Sequence, residues 1–390
     1  MTAPRFSVLL PTRNGGEQVE GAIRSVLESS REDIELVVSD NASTDATPDI
    51  LAQFADDPRL RAVRQTEGLD VTENWNACLA LSRGERIMLI GDDDRLLPGY
   101  FERADEQLER WDAPDVLTYG AVAFAAPGFV EGSVAHYADP CWEVENELPD
   151  DGLFTPALRR GVIADQFRFR FPFLLNMQTA LVTREAIGRL RDGVFKRPFP
   201  DFYGLTALML VADRWALSSE RLVVIGVSPK SFGRTIHTPD KQAGGNAYLG
   251  IAPSFTGRLP GSEIFNGHVE TLLALLADYP DLLADTRIDR REYVISQANT
   301  WWTQYRVGTL PGGEAAARLR ELSRRDWLLL GEALLPRLRP AAVARQLRAG
   351  TGDPVQELWP GMRPVPETGD LDEFRAWFTA ETRAPAKTAR

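Results

Sequence analysis

Cysteine and histidine are scarce in this chain of 390 residues, with two of the first and three of the second. Cys78 and Cys141 stand alone, without a Cys-x-x-Cys pair or clustered Cys/His spacing. That excludes a disulfide framework or a structural zinc site as the organising feature and points to a reducing compartment. Long apolar runs are missing as well. The N-terminal run Phe6–Leu10 is closed by Pro11 and Arg13, shorter than the ~7–15-residue core of a signal peptide, and no stretch reaches the ~18 apolar residues of a spanning helix. The expectation is a soluble cytoplasmic protein without a transmembrane segment, with peripheral contact at the inner membrane face left open. The glycine fingerprints GxGxxG and GxxxxGK[ST] are also absent, which weakens dehydrogenase and NTPase readings.

Positive charge is scarce in the front of the chain. Residues 1–150 hold 30 acidic and 12 basic side chains, residues 151–390 hold 26 and 32, and the whole carries a net charge of -12. A uniformly basic nucleic-acid binder is thereby excluded, because phosphate contacts need a net positive face. At 44% hydrophobic and 26% charged residues the composition is that of an ordinary globular protein.

Over the first 125 residues, short apolar runs alternate with amphipathic segments, the pattern of strand and helix units building a mainly parallel sheet. The runs are Phe6–Leu10, Glu35–Ser39, Leu60–Arg64, Arg86–Ile90 and Val116–Phe124. Val19, Ala22, Ile23, Val26 and Leu27 recur at helical spacing after Gly15-Gly16, and Thr47-Pro48 reads as a helix start. Residues 126–175 resemble an insertion or lid. A strand at Ala180, helices near Arg184–Arg191 and after Asp201, and two strands at Trp215–Ser218 and Leu222–Val227 come next. Residues 228–250 read as a mobile loop, the chain beyond Ser262 as helical, and Ala384–Arg390 as a disordered tail.

In an open parallel sheet, ligands sit outside the carboxyl ends of the strands. Those ends are polar here: Pro11-Thr12-Arg13-Asn14, Asp40-Asn41-Ala42-Ser43-Thr44-Asp45 and Gly91-Asp92-Asp93-Asp94. Three consecutive carboxylates repel one another unless a cation neutralises them, and Mg²⁺ or Mn²⁺, held by one or two carboxylates plus substrate phosphate oxygens, does so. The competing reading is that Asp94 caps the helix entered near Pro98 while its neighbours are solvated.

The strand-end segments, together with Arg83-Gly84-Glu85 and Pro98, resemble the inverting family 2 glycosyltransferases of the GT-A fold over about residues 5–230. The resemblance implies an α/β, Rossmann-like catalytic domain over residues 1–260, with a nucleotide-sugar half at 1–125 and an acceptor half at 126–260. A helical region over 261–383 would cover the acceptor or form a homo-oligomer contact. By position, Pro11, Thr12 and Arg13 would line the nucleotide, Asp40 or Asn41 would meet the pyrimidine edge, Asp92 would lie near the ribose, and Asp93 would hold the metal. The first acid of the family's Asp-x-Asp is Gly91 here, so ligation by Asp92 or by Asp94 beside Asp93 stays open. Where many members carry an arginine between Gly68 and Asn76, this chain has Asp70, Thr72 and Glu73.

Inverting transfer needs a carboxylate to take the acceptor hydroxyl's proton. The resemblance places that base downstream at a helix start, where Asp201 stands; an ordinary N-cap is its bland alternative, and Asp165 and Asp213 are weaker candidates. Arg13, Arg168, Arg170, Lys230, Arg234 and Lys241 are available to the leaving diphosphate, and His237 could complete the metal shell. The implied reaction moves a sugar from a UDP- or dTDP-linked donor to a saccharide or lipid-linked glycan acceptor, with Mg²⁺ or Mn²⁺. The rivals are a sugar nucleotidyltransferase, whose glycine-rich loop is missing here, and a non-catalytic nucleotide-sugar-binding protein.

Overall fold

The computed structural model describes residues 3–130, 132–139, 151–171, 175–227, 255–261, 263–306, 310–334, 355–356, 361–365 and 368–383. Its first part alternates β1 (Phe6–Thr12), α1 (Glu17–Leu27), β2 (Ile34–Asp40), α2 (Thr47–Ala52), β3 (Leu60–Arg64), α3 (Val71–Leu81) and β4 (Arg86–Leu89). A short β5 (Arg95–Leu96), α4 (Tyr100–Arg110), β6 (Val116–Ala125), β7 (His136–Ala138), β8 (Gly152–Leu153) and α5 (Pro156–Gln166) continue the chain. Next come β9 (Ala180–Thr183), α6 (Arg184–Gly188), α7 (Pro200–Val211) and β10 (Trp215–Val227). The rest holds α8 (Glu263–Asp278), α9 (Arg290–Arg306), α10 (Gly312–Arg320), α11 (Arg324–Leu334), β11 (Arg363–Pro364) and α12 (Leu371–Arg383).

The periodic stripe of α1 becomes its buried face: Val19, Ala22, Ile23 and Val26 are sealed against β1 and β2, whose own residues are buried on both faces. Such strands read as continuous apolar runs, which is why they are legible in the sequence. The sheet is mixed. Strands β3, β2, β1 and β4 are mutually parallel, β9 then runs antiparallel between β4 and β6, and β10 lies parallel to β6.

The two strands expected at 215–218 and 222–227 are one strand of 13 residues. The pairing with β6 slips between Leu217 and Val223 rather than ending there. Gly120 on β6 accommodates this irregularity, because a Cβ there would sit 3.1 Å from the carbonyl oxygens of Ser219 and Glu220.

Helix α8 lies against the segment leading into α7: a Cβ on Gly267 would be 2.7 Å from the Phe199 ring. Arg290 of α9 pairs with Asp326 of α11 at 2.8 Å, over a core that includes Tyr293, Val294, Trp301 and Leu330. The last helix packs on the sheet itself, with Phe374 stacked on Phe124 of β6 at 4.6 Å. No helix among the described residues is long and apolar enough to cross a membrane.

Cys78 is fully buried on α3, and burial pushes its thiol up to about 12, so packing is its role. In a Cys141→Ser background the native protein is expected to take up no thiol label by mass spectrometry, and one equivalent after denaturation.

Candidate active site

The carboxyl ends of β1, β2 and β4 converge as the alternation predicts, and side-chain bonds stitch them together. Thr12 Oγ1 donates to Asp92 Oδ2 at 2.6 Å, joining the end of β1 to the acidic turn after β4. Gly15 lies over this bond so closely that a Cβ would sit 2.7 Å from the Thr12 hydroxyl and 2.9 Å from the Asp92 carboxylate. The loops after β1 and β2 are zipped by Asn14 N to Ser43 Oγ (2.8 Å), Thr44 N to Asn14 Oδ1 (2.8 Å) and Gly16 N to Asp45 Oδ2 (2.9 Å). Pro11 is buried within β1, whereas Arg13 is exposed, its guanidinium lying over Gly68. Among the described residues Arg13 has no ion-pair partner.

The two candidates at the end of β2 separate. Asn41 is fully buried and clamps the loop before α3, donating from Nδ2 to Leu69 O at 2.8 Å and accepting from Leu69 N at 2.7 Å through Oδ1. Asp40 Oδ1 accepts from Ser43 N at 3.0 Å, but its buried Oδ2 has no hydrogen-bond donor among the described residues, and its nearest cation is Arg64 Nε at 3.6 Å. An acceptor left in that state is costly unless something else supplies an N–H.

The acidic turn is also divided by geometry. Asp94, one of the two residues read as metal ligands, faces inward: it is 1% exposed, and its two carboxylate oxygens accept from Gly91 N at 2.6 Å and from Gly226 N at 3.0 Å. Burial pushes its carboxyl up to about 6. Its bonds anchor the turn to β10, so both of its oxygens are already engaged by backbone amides. Gly91 has a steric reason as well, since a Cβ there would lie 2.9 Å from Asp93 Oδ1 and 3.0 Å from Asp94 Oδ2. Asp92 and Asp93 are half-buried. No cluster of three or more His, Cys, Asp or Glu side chains able to hold a metal occurs among the described residues, so two carboxylates would need oxygens from a substrate.

Asp201 stands in the first turn of α7, one residue after the Pro200 that opens it. The cap position is Phe199 and carries no side-chain cap, so the ordinary N-cap reading of Asp201 fails. Its Oδ1 accepts from Phe202 N at 2.9 Å, no cation pairs with it among the described residues, and burial pushes its carboxyl up to about 6. The contacts that fasten the segment before α7 to the start of α3 are not legible in the sequence. Arg197, from a loop distant in sequence, forms salt bridges with both Asp70 and Glu73 at the start of α3. Asn76 Nδ2 donates to Phe195 O at 3.1 Å, and Trp75 meets Phe195 edge-on at 5.2 Å.

Beside Phe202 lies His268, 3% exposed, its Nε2 bonded to Gln166 O at 3.1 Å and its ring boxed by Phe169, Phe171 and Phe202. Burial drives it down to about 4, so it is a neutral packing group at physiological pH. The weaker base candidates both face arginines. Asp213 pairs with Arg189 at the amino end of β10, and Asp165 faces Arg168 at 3.9 Å. Arg170 is exposed, while Lys230, Arg234, His237 and Lys241 lie outside the described residues.

Residues 7–133 match the family model described as "Glycosyl transferase family 2". A "PGL/p-HBAD biosynthesis glycosyltransferase" of Mycobacterium bovis is 35% identical over 131 residues, 33% of this chain and 51% of the relative. A "GalNAc(5)-diNAcBac-PP-undecaprenol beta-1,3-glucosyltransferase" of Campylobacter jejuni is 34% identical over 98 residues, 25% of this chain and 32% of the relative. The matched stretches therefore span between about a third and a half of these relatives. Among solved structures, a mannosyltransferase from Pyrobaculum calidifontis in complex with GDP-Man and Mn²⁺ aligns over 92% of this chain and 88% of its own, at 16% identity and a TM-score of 0.46. Over residues 7–133, about a third of its length, the chain is similar to glycosyl transferase family 2.

Proposed function

We propose that the chain transfers a sugar from a UDP- or dTDP-linked donor to an acceptor hydroxyl, with inversion and with Mg²⁺ or Mn²⁺. The observation that carries this reading is Asp201: a carboxylate pushed up to about 6, on a segment fastened by Arg197 to the nucleotide-facing end of α3. A base works best when its pKa lies near the operating pH.

In this reading Asp201 takes the proton from the acceptor hydroxyl as the new C–O bond forms at the anomeric carbon. The bond to the diphosphate breaks on the opposite face, and the electron pair leaves with the nucleoside diphosphate. Thr12 holds Asp92 in place, and Asp92 and Asp93 would hold the divalent cation, which supplies charge neutralisation of the departing diphosphate. Arg13, uncommitted to any acid among the described residues, adds positive charge on the same side. The unsatisfied Asp40 Oδ2 suits the ring N–H shared by uracil and thymine, and this supports the UDP or dTDP assignment over a donor lacking that group. A lipid-linked glycan acceptor is favoured over a free saccharide by the undecaprenol-linked substrate named for the Campylobacter relative.

Thermal shift with UDP- and dTDP-sugars, each with and without Mn²⁺, tests the donor class and the metal together. Asp93→Ala is expected to remove the Mn²⁺-dependent part of the stabilisation while leaving the melting temperature without ligand nearly unchanged. Equal Mn²⁺-dependent shifts in both proteins would reject Asp93 as a ligand.

A further inference from the structure

Arg95 follows the acidic turn directly, yet it is 3% exposed. Its guanidinium reaches the turn and the far end of the chain at once. Nη1 donates to Asp94 O at 2.9 Å and to Asp92 O at 3.5 Å, the carbonyls of the residues before and after Asp93. Nε and Nη2 donate to Asp372 Oδ1 and Oδ2 at 2.8 and 3.2 Å, a two-point pair with the first turn of α12. The same helix holds the next residue too, through Arg375 Nε to Leu96 O at 2.6 Å. Room for the guanidinium comes from Gly21 on α1, where a Cβ would lie 2.0 Å from Nη2.

We propose that Arg95 and Asp372 form a positioning pair through which the C-terminal helix fixes the metal-facing turn. The inference rests on the reading of Asp92 and Asp93 as the metal-holding residues. A guanidinium this buried needs a counterion, and removing it leaves an uncompensated buried charge that must move or draw in water. Either response releases the carbonyl of Asp92, whose peptide plane ends at Asp93 N, and that of Asp94 one plane beyond, and so loosens the backbone of the turn that carries the Asp93 side chain. Groups that orient metal ligands in this way typically matter by about 10–100-fold in affinity.

The test uses the full chain and two readouts: hydrogen exchange of residues 91–97 without ligand, and Mn²⁺-dependent affinity for UDP by calorimetry. Asp372→Asn, at a side chain 58% exposed, is expected to speed exchange in 91–97 and to weaken Mn²⁺-dependent UDP binding about tenfold, with Asp372→Glu restoring both. Gly21→Ala is expected to reproduce both losses from the opposite side, by displacing the guanidinium, although alanine favours the helix. Glu373→Gln disturbs only the cap it forms with Gly369 N and should change neither readout. Wild-type exchange and affinity in Asp372→Asn would overturn the pair, and so would an equal loss in Glu373→Gln. A wild-type protein that binds UDP equally with and without Mn²⁺ would instead overturn the metal reading, and exchange at 91–97 would still decide the pair.

Discussion

Asp201→Asn is expected to lower kcat by about 10²–10⁴-fold while leaving the affinity for the donor within about twofold, because it removes the proton acceptor and little else. The same substitution should make the protein more stable at pH 7.5. Asp201 has its carboxyl raised in the folded state, so between about pH 4 and pH 6 the native protein binds more protons than the unfolded chain, and stability falls as pH rises through that window. An amide carries no such penalty, and a shift to about 6 corresponds to roughly 1–3 kcal/mol at most. Activity of the unaltered enzyme should fall on the acid side with a midpoint near pH 6. Ordinary turnover by Asp201→Asn, or an acid limb near pH 4, would show that another group is the base. A gain in stability joined to a loss of turnover is the informative combination, since a disruptive substitution would lower both.

Gly226→Ala should be the most damaging single methyl group in the sheet. A Cβ there would stand 1.7 Å from the carbonyl oxygen of Asp93 and 2.8 Å from its carbonyl carbon, both backbone atoms. The strand and the acidic turn must separate, and the Gly226 N–H then leaves Asp94 Oδ1. A buried carboxylate that loses a donor, together with the backbone shift, argues for about 2–4 kcal/mol of destabilisation. Urea unfolding followed by circular dichroism measures it, with Gly161→Ala as the comparison: a Cβ there meets nothing within 4 Å, so no loss is expected. Mn²⁺-dependent nucleotide binding should vanish in the Gly226 variant even where it stays folded. Equal midpoints for the two variants would mean that the turn does not rest on β10.

The sequence carries its clearest signals where structure is local. The ends of β1, β2 and β4 can be located because a strand buried on both faces is a plain apolar run and the residues just beyond it are polar. Asp201 can be located because a proline-rich turn preceding an apolar helix is a local pattern. Asp94 cannot be told from Asp93, because the feature that distinguishes them is an amide 132 residues away on β10. The Arg197 pairing with Asp70 and Glu73 is hidden for the same reason, as 127 and 124 residues separate the partners. The one sequence trace of these contacts is a glycine at Gly91, Gly226 and Gly21, and a glycine records that something comes close without naming it. The continuity of β10 escapes the sequence because polar Ser219-Glu220 in a bulge reads as a turn when its partner strand is unknown.

The antiparallel strand β9 bears on how the chain can reach this state. It occupies the gap between β4 and β6, yet it arrives at residues 180–183, long after both neighbours. During synthesis, the segment that matches the family is complete at residue 133 while the edges of β4 and β6 that β9 will cover still lack their partner. Unpaired edges of that kind invite pairing with another chain. Closing the sheet therefore waits on about fifty further residues, including α5, so the third of this protein that matches the family model is only part of a unit by folding.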